Sequence, residues 1–308
     1  MVALQKPRPR EVFHRIAQLG DRGGVGDDGG PMEDAAMKDF RRRTSATGSV
    51  PSRDGVTIRY EDAGRGDPAI VFVHGWSCDR SYWTPQIQHF SKSHRTVSVD
   101  LGGHGESGLG RGDWTMTAFG ADVTAVLNAL DVRNVVLVGH SMGGPVIVET
   151  ALLVPGRVAA LVSVDHFADV DGPMSAADRE RQLARLRDDF RGATETWVRT
   201  FFPPDADPLL VNYIVHDMGS APPGVGVSAL DHVRRYDEAA ALARTPVPMR
   251  MINSDLWPTN LDAARRHKPD IELATMTGVG HFPHLEDPDR FNALLARAIR
   301  DLGRESNF

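Results

Sequence analysis

The chain has 308 residues, 41% of them hydrophobic, a formal net charge of -6 and a single cysteine, Cys78. That is apolar content enough for a large core, while the acidic balance gives no electrostatic reason to expect nucleic acid or an anionic membrane as partner. No apolar run reaches the ~18 residues of a membrane span, and one cysteine excludes an internal disulfide framework. The N-terminus, MVALQKPRPREVFHRIAQL, carries charge where a secretory signal has its apolar centre, so a cytoplasmic location is expected. Residues 1–47 are rich in Gly, charge and small polar residues and predict a disordered arm, with a short helix around Arg10 to Leu19. From residue 48 to 308 short apolar runs alternate with helical patterns. Strands are expected at Val56–Tyr60, Ala69–His74, Thr96–Asp100, Val135–Val138, Val158–Val164, Met249–Ile252 and Glu272–Met276. Helices are expected at Tyr82–Phe90, Met116–Leu130, Gly144–Leu153, Asn260–His267 and Pro288–Leu302. Such alternation predicts an α/β fold with a mostly parallel central sheet flanked by helices. Residues 167–242 lack a strong strand and carry helical patterns at Ala176–Phe190, Thr194–Phe202 and Asp231–Ala243. An insertion there predicts a helical cap over the strand ends, where ligands bind in open α/β sheets.

The segment VVLVGHSMGGP, Val135 to Pro145, places Ser141 between two glycines after an apolar run and ahead of a helical pattern. A strand that turns into a helix within about four residues needs a sharp corner, and glycines at either side let the backbones approach. That corner holds a serine exposed at its tip, the nucleophile elbow G-x-S-x-G. A serine is a weak nucleophile alone and needs a base, an orienting acid and an oxyanion site. His74-Gly75-Trp76 follows the run AIVFV, so the Trp76 N–H and the N–H of Met142 are candidate oxyanion donors. His281, in GVGHFPHLEDPDRF, is the candidate base. With the chain order Ser, acid, His, the acid falls between them at a strand end. Asp255, just past the penultimate strand, is the first choice; Asp165, ending the strand before the cap, is the alternative.

Together HGW at 74–76, DLGGHGESG at 100–108, VGHSMGG at 138–144 and VGHFPHLEDPDRFN at 279–292 resemble the α/β-hydrolase fold family, in its serine-nucleophile branch with a helical cap. The resemblance runs through about 250 residues. It implies Ser141 as nucleophile, His281 as base and Trp76 and Met142 as oxyanion donors. The acid motif reads Asn253-Ser254-Asp255 where the family commonly ends Gly-x-x-Asp, and Ser141 argues against the branch that carries aspartate at the elbow. The implied activity is hydrolysis of a carboxylic ester or related acyl compound through an acyl-enzyme, with no cofactor. Lactone hydrolysis, C–C bond hydrolysis and a non-catalytic ligand receptor stay open, since fold does not dictate function. The expected partner is a small acyl substrate, neutral and apolar. Phe190, Trp197, Phe201, Phe202 and Tyr213 supply an apolar cap, and Arg181, Arg185 and Arg199 fall on its solvated side. Two patterns point elsewhere. Gly103-x-Gly105-x-x-Gly108 imitates a dinucleotide fingerprint but runs into LGRGDW, not a helix. His281-x-x-His284 with Glu286 imitates metal spacing, but Pro283 interrupts the helical register.

Overall fold

The computed structural model describes residues 45–306. The expected arm at 1–47 lies outside the described residues except for its last three, and these are in a strand: β1 runs Ser45–Pro51. The sequence signal missed it because its residues are small and mostly exposed. It pairs antiparallel with β2, Thr57–Ala63, as an edge hairpin.

Six further strands follow: β3 Ala69–Val73, β4 Thr96–Asp100, β5 Val135–His140, β6 Val158–Val164, β7 Met249–Ser254 and β8 Glu272–Met276. The eight form one sheet in the order β1-β2-β4-β3-β5-β6-β7-β8. β2 meets β4 antiparallel, and from β4 to β8 every pairing is parallel. All five residues of β3 and all six of β5 are buried, as strands covered on both faces must be. Successive side chains of β3 alternate between two cores: Ala69, Val71 and Val73 point into one, Ile70 and Phe72 into the other. The fold is the α/β architecture expected, a mostly parallel sheet flanked by helices.

The flanking helices are α1 Thr84–Phe90, α2 Met116–Ala129 and α3 Gly143–Leu153, with α9 Leu261–His267, the short α10 Pro283–Glu286 and α11 Pro288–Ser306 near the C-terminus. Two of them start behind side-chain caps: Thr115 accepts the Ala118 N–H ahead of α2, and Asn260 accepts the Ala263 N–H ahead of α9. α1 and α11 cover one face, burying Phe90, Phe291, Leu295 and Leu302 with Phe72 and Trp83.

Between β6 and β7 the chain leaves the sheet for five helices: α4 Ala176–Asp188, α5 Phe190–Val198, α6 Pro208–Gly219, α7 Pro223–Arg234 and α8 Glu238–Arg244. A single turn of 3₁₀ helix, Arg199–Phe201, extends α5. Two differences from the sequence reading have local causes. The helix expected at Asp231–Ala243 is two helices, because Asp237 caps a new start by accepting the Ala240 N–H. α6, which was not expected, starts on Pro208 behind the Asp207 cap. No helix among the described residues is long and apolar enough to cross a membrane.

Candidate active site

Parallel strands deliver their C-terminal ends to one edge of the sheet, and five of them end on residues of interest. β3 runs into His74-Gly75-Trp76, β5 into Ser141, β6 into Asp165, β7 into Asp255, and β8 into the loop carrying His281. A cavity of about 1010 Å³ opens over this edge, lined by Trp76, Ser141, Met142, Asp165 and His281 from the sheet side and by Trp197 and Phe201 from the inserted helices.

Ser141 sits at φ 51°, in the left-handed region that non-glycine residues rarely adopt. Its N–H donates to the Val164 carbonyl at 2.9 Å, which ties the corner to β6. The flanking glycines are there for space. A Cβ on Gly139 would lie 2.2 Å from the Gly143 carbonyl oxygen, and one on Gly143 would lie 2.6 Å from that of Val73. Gly75 also lies near the corner, less tightly: its Cβ would be 3.2 Å from the Ser141 Cβ. Met142 directly follows Ser141 at the start of α3, where backbone N–H groups lack helical partners. Among the described residues, neither the Trp76 nor the Met142 N–H donates to a protein acceptor. The Trp76 indole is also fixed, its Nε1–H donating to the Gly226 carbonyl of α7 at 2.7 Å.

His281 is 9% exposed, and its Nδ1 lies 2.5 Å from Asp165 Oδ2. The second oxygen of Asp165 accepts the Ser254 N–H at 2.7 Å. Burial pushes the Asp165 carboxyl up, but the bonds from His281 and Ser254 outweigh it and hold the group below its ordinary value of 3.8. An ionised Asp165 can only accept, so His281 carries its hydrogen on Nδ1 and leaves the Nε2 lone pair free. Asp255, the first choice of the sequence reading, does not reach His281. Its exposed carboxylate accepts the Gly278 N–H at 3.1 Å and stays with the turn after β8. The difference lies in the backbone: Asp165 stands at φ 49°, a left-handed turn that swings its side chain toward the neighbouring loop.

The sequence reading missed the residues that hold the His281 loop. Glu286 accepts the Gly280 N–H at 2.7 Å and the Phe282 N–H at 3.0 Å, so one carboxylate clasps the backbone on both sides of His281. His140, the residue before Ser141, lies with Nε2 2.7 Å from the His281 carbonyl; since a carbonyl accepts, that nitrogen carries the hydrogen. Burial lowers the His140 pKa to about 3, so the ring stays neutral. The inserted helices join the clasp, with the His281 N–H donating to the Phe201 carbonyl at 2.8 Å. Phe201 and Trp257 also meet the His281 ring edge-on, with centroids at 5.0 and 5.4 Å.

The two imitations resolve structurally. Gly103 and Gly105 have positive φ, and a Cβ on Gly105 would meet the Asp100 carboxylate at 2.4 Å; no helix begins until Met116. His284 is fully buried, stacked on Trp83 at 4.4 Å and packed against His140 at 4.6 Å. Among the described residues no three His, Cys, Asp or Glu side chains gather to hold a metal ion.

Comparison with known proteins bears on the fold and the family. The profile of the alpha/beta hydrolase family matches residues 70–294, well over half of the chain. A RutD protein of Azorhizobium caulinodans, named for carbamate hydrolysis, is 34% identical over 244 residues, which are 79% of this chain and 83% of that protein. The non-heme chloroperoxidase of Streptomyces lividans is 39% identical, but over 126 residues that span only 46% of its own length and 40% of this chain. Among solved structures, a thermophilic esterase from Thermogutta terrifontis superposes with a TM-score of 0.73 at 26% identity, covering 83% of this chain and 99% of that one. The chain belongs to the alpha/beta hydrolase family and is a hydrolase enzyme.

Proposed function

We propose that this enzyme hydrolyses a carboxylic ester or a related acyl compound through an acyl-enzyme on Ser141, with His281 as base and Asp165 as the acid. The observation that carries the reading is the 2.5 Å bond from His281 to Asp165 in the same cavity as Ser141 at its left-handed corner. His281 Nε2 takes the Ser141 proton as Oγ attacks the carbonyl carbon. The N–H groups of Trp76 and Met142 stabilise the oxyanion of the tetrahedral intermediate, and His281 then gives the proton to the departing alcohol. Water activated by the same imidazole releases the acid. Asp165 holds the imidazole in the tautomer this needs and stabilises its cation. Ester and carbamate carbonyls, the bonds named for two of the relatives, both suit these steps.

The segment at 167–242 acts in this reading as a cap. Trp197, Phe201, Trp257 and Phe282 line an apolar portion of the cavity, which supports a substrate with an apolar acyl or alcohol body. The single cysteine supports a cytoplasmic location.

The test is a fluorophosphonate probe followed by peptide mapping. Stoichiometric labelling of Ser141, abolished in His281→Ala, is expected; labelling of another serine, with Ser141 untouched, overturns the assignment.

A further inference from the structure

Among the described residues, every charged side chain lining the cavity but one has a hydrogen-bond or ion-pair partner. Of the carboxylates lining it, Asp165 is bonded to His281 and Ser254, and Asp169 accepts from the Asn260 amide at 3.2 Å. Asp237 accepts the Ala240 N–H at 2.9 Å, and Glu238 lies 3.2 Å from His166 Nε2. Of the guanidinium groups, Arg179 and Arg235 share Asp231, at 3.3 and 2.5 Å. Arg234, the last residue of α7, has no such partner. Among the described residues no carboxylate lies within ion-pair distance of it, and its Nε is buried without a hydrogen-bond acceptor.

Its surroundings tie it to the reacting centre. The guanidinium carbon stands 5.6 Å from the ring centroid of Trp197. Trp197 in turn packs at 5.4 Å on Trp76, the candidate oxyanion residue, and at 5.0 Å on Phe201, which touches the His281 ring. Burial is the main influence on Arg234, and the more distant charge of Glu238 offsets it only in part. A part-buried guanidinium without a counter-charge is costly, and one aromatic face leaves its planar fork of N–H donors unused. Such a fork matches a carboxylate in geometry and charge.

We infer that Arg234 is a specificity-determining residue that receives a carboxylate carried by the substrate at a distance from the scissile carbonyl. This rests on the hydrolase reading above and amends the neutral substrate expected from sequence: the apolar body lies along Trp197 and Phe201, and its far end is anionic.

The experiment compares methyl half-esters of linear dicarboxylic acids of four to ten carbons with methyl esters of the matching monocarboxylic acids, followed by proton release in a pH-stat. At one chain length the wild type is expected to favour the anionic ester, by at least ten-fold in kcat/KM. Arg234→Met should reduce that ratio at least ten-fold, and Arg234→Lys should restore part of it. A wild type that hydrolyses neutral esters with no anionic preference at any length overturns the proposal. Equal losses on both ester types in Arg234→Met overturn it too, since a purely structural role predicts that. If neither ester is turned over, the hydrolase reading fails, and the anion site is read separately by calorimetric titration of Ser141→Ala with monomethyl adipate. Binding weakened at least ten-fold in Ser141→Ala/Arg234→Met upholds the site; equal or absent binding in both overturns it.

Discussion

Replacing Asp165 with asparagine tests the central contact of the site. The side-chain volume hardly changes, and asparagine is among the few residues at ease at the φ of 49° found there, so the turn should persist. What changes is hydrogen-bond polarity. The Ser254 N–H at 2.7 Å needs an acceptor and keeps the amide oxygen on its side. The amide NH₂ then faces His281 Nδ1 at the position now bridged at 2.5 Å, where donor would meet donor. The imidazole escapes by moving its hydrogen to Nε2, which removes the lone pair that accepts the serine proton in the proposed mechanism. The equivalent change in a serine protease costs about 10⁴ in kcat, equivalent to about 5.5 kcal/mol of barrier. A loss of about 10³ to 10⁴ is therefore expected here, with the melting temperature close to wild type. Asp255→Asn keeps an oxygen for the Gly278 N–H on an exposed turn and should cost less than about ten-fold. Steady-state kcat on a short-chain ester, with circular dichroism as the folding control, measures both variants. A crippled Asp255→Asn beside a nearly active Asp165→Asn refutes the reasoning.

Four further outcomes follow from particular contacts. Ser141→Ala should lose at least about 10³ in kcat while remaining folded, since the side chain stands at a corner facing the cavity; retention of a tenth of the activity would count against an acyl-enzyme on this serine. Gly139→Ala places a Cβ 2.2 Å from the Gly143 carbonyl oxygen, so it should destabilise by about 1–3 kcal/mol or more in urea unfolding and reduce activity with it. Burial raises the Glu286 carboxyl from 4.5 to about 7, against the Gly280 and Phe282 N–H groups that lower it. Between those values the folded protein holds a proton that the unfolded chain has released, so this group makes stability fall as pH rises from 4.5 to about 7. Glu286→Gln should flatten that part of the slope in unfolding curves taken between pH 5 and 8, and an identical slope in both proteins would sink the point. Finally, each methylene buried against Trp197 and Phe201 contributes about 0.8 kcal/mol, or about four-fold in kcat/KM, until the cavity is full. Alanine at either residue should move the best acyl length in an ester series, and an unmoved optimum would show that these rings do not meet the substrate.

Much of the architecture was legible along the chain because its signals are local. Apolar runs such as AIVFV and VVLVG read as strands buried on both faces, and a strand running into G-x-S-x-G ahead of a helix leaves little choice but a sharp corner. β1 escaped because an edge strand of small, exposed residues carries no such pattern, its hydrogen bonds being supplied by the β2 backbone. Within the site, Ser141 and His281 could be nominated from their turns, but the partner of His281 could not. Asp165 and Asp255 end adjacent parallel strands, β6 and β7, about 5 Å apart in such a sheet, and sequence order permits either. The left-handed turn at Asp165 and the Gly278 N–H beside Asp255 decide between them. The same holds for His140 and Arg234. Each owes its surroundings to segments distant in the chain or to the absence of a counter-charge. Both are properties of three-dimensional packing, for which a run of consecutive residues carries no periodic or turn-forming signal.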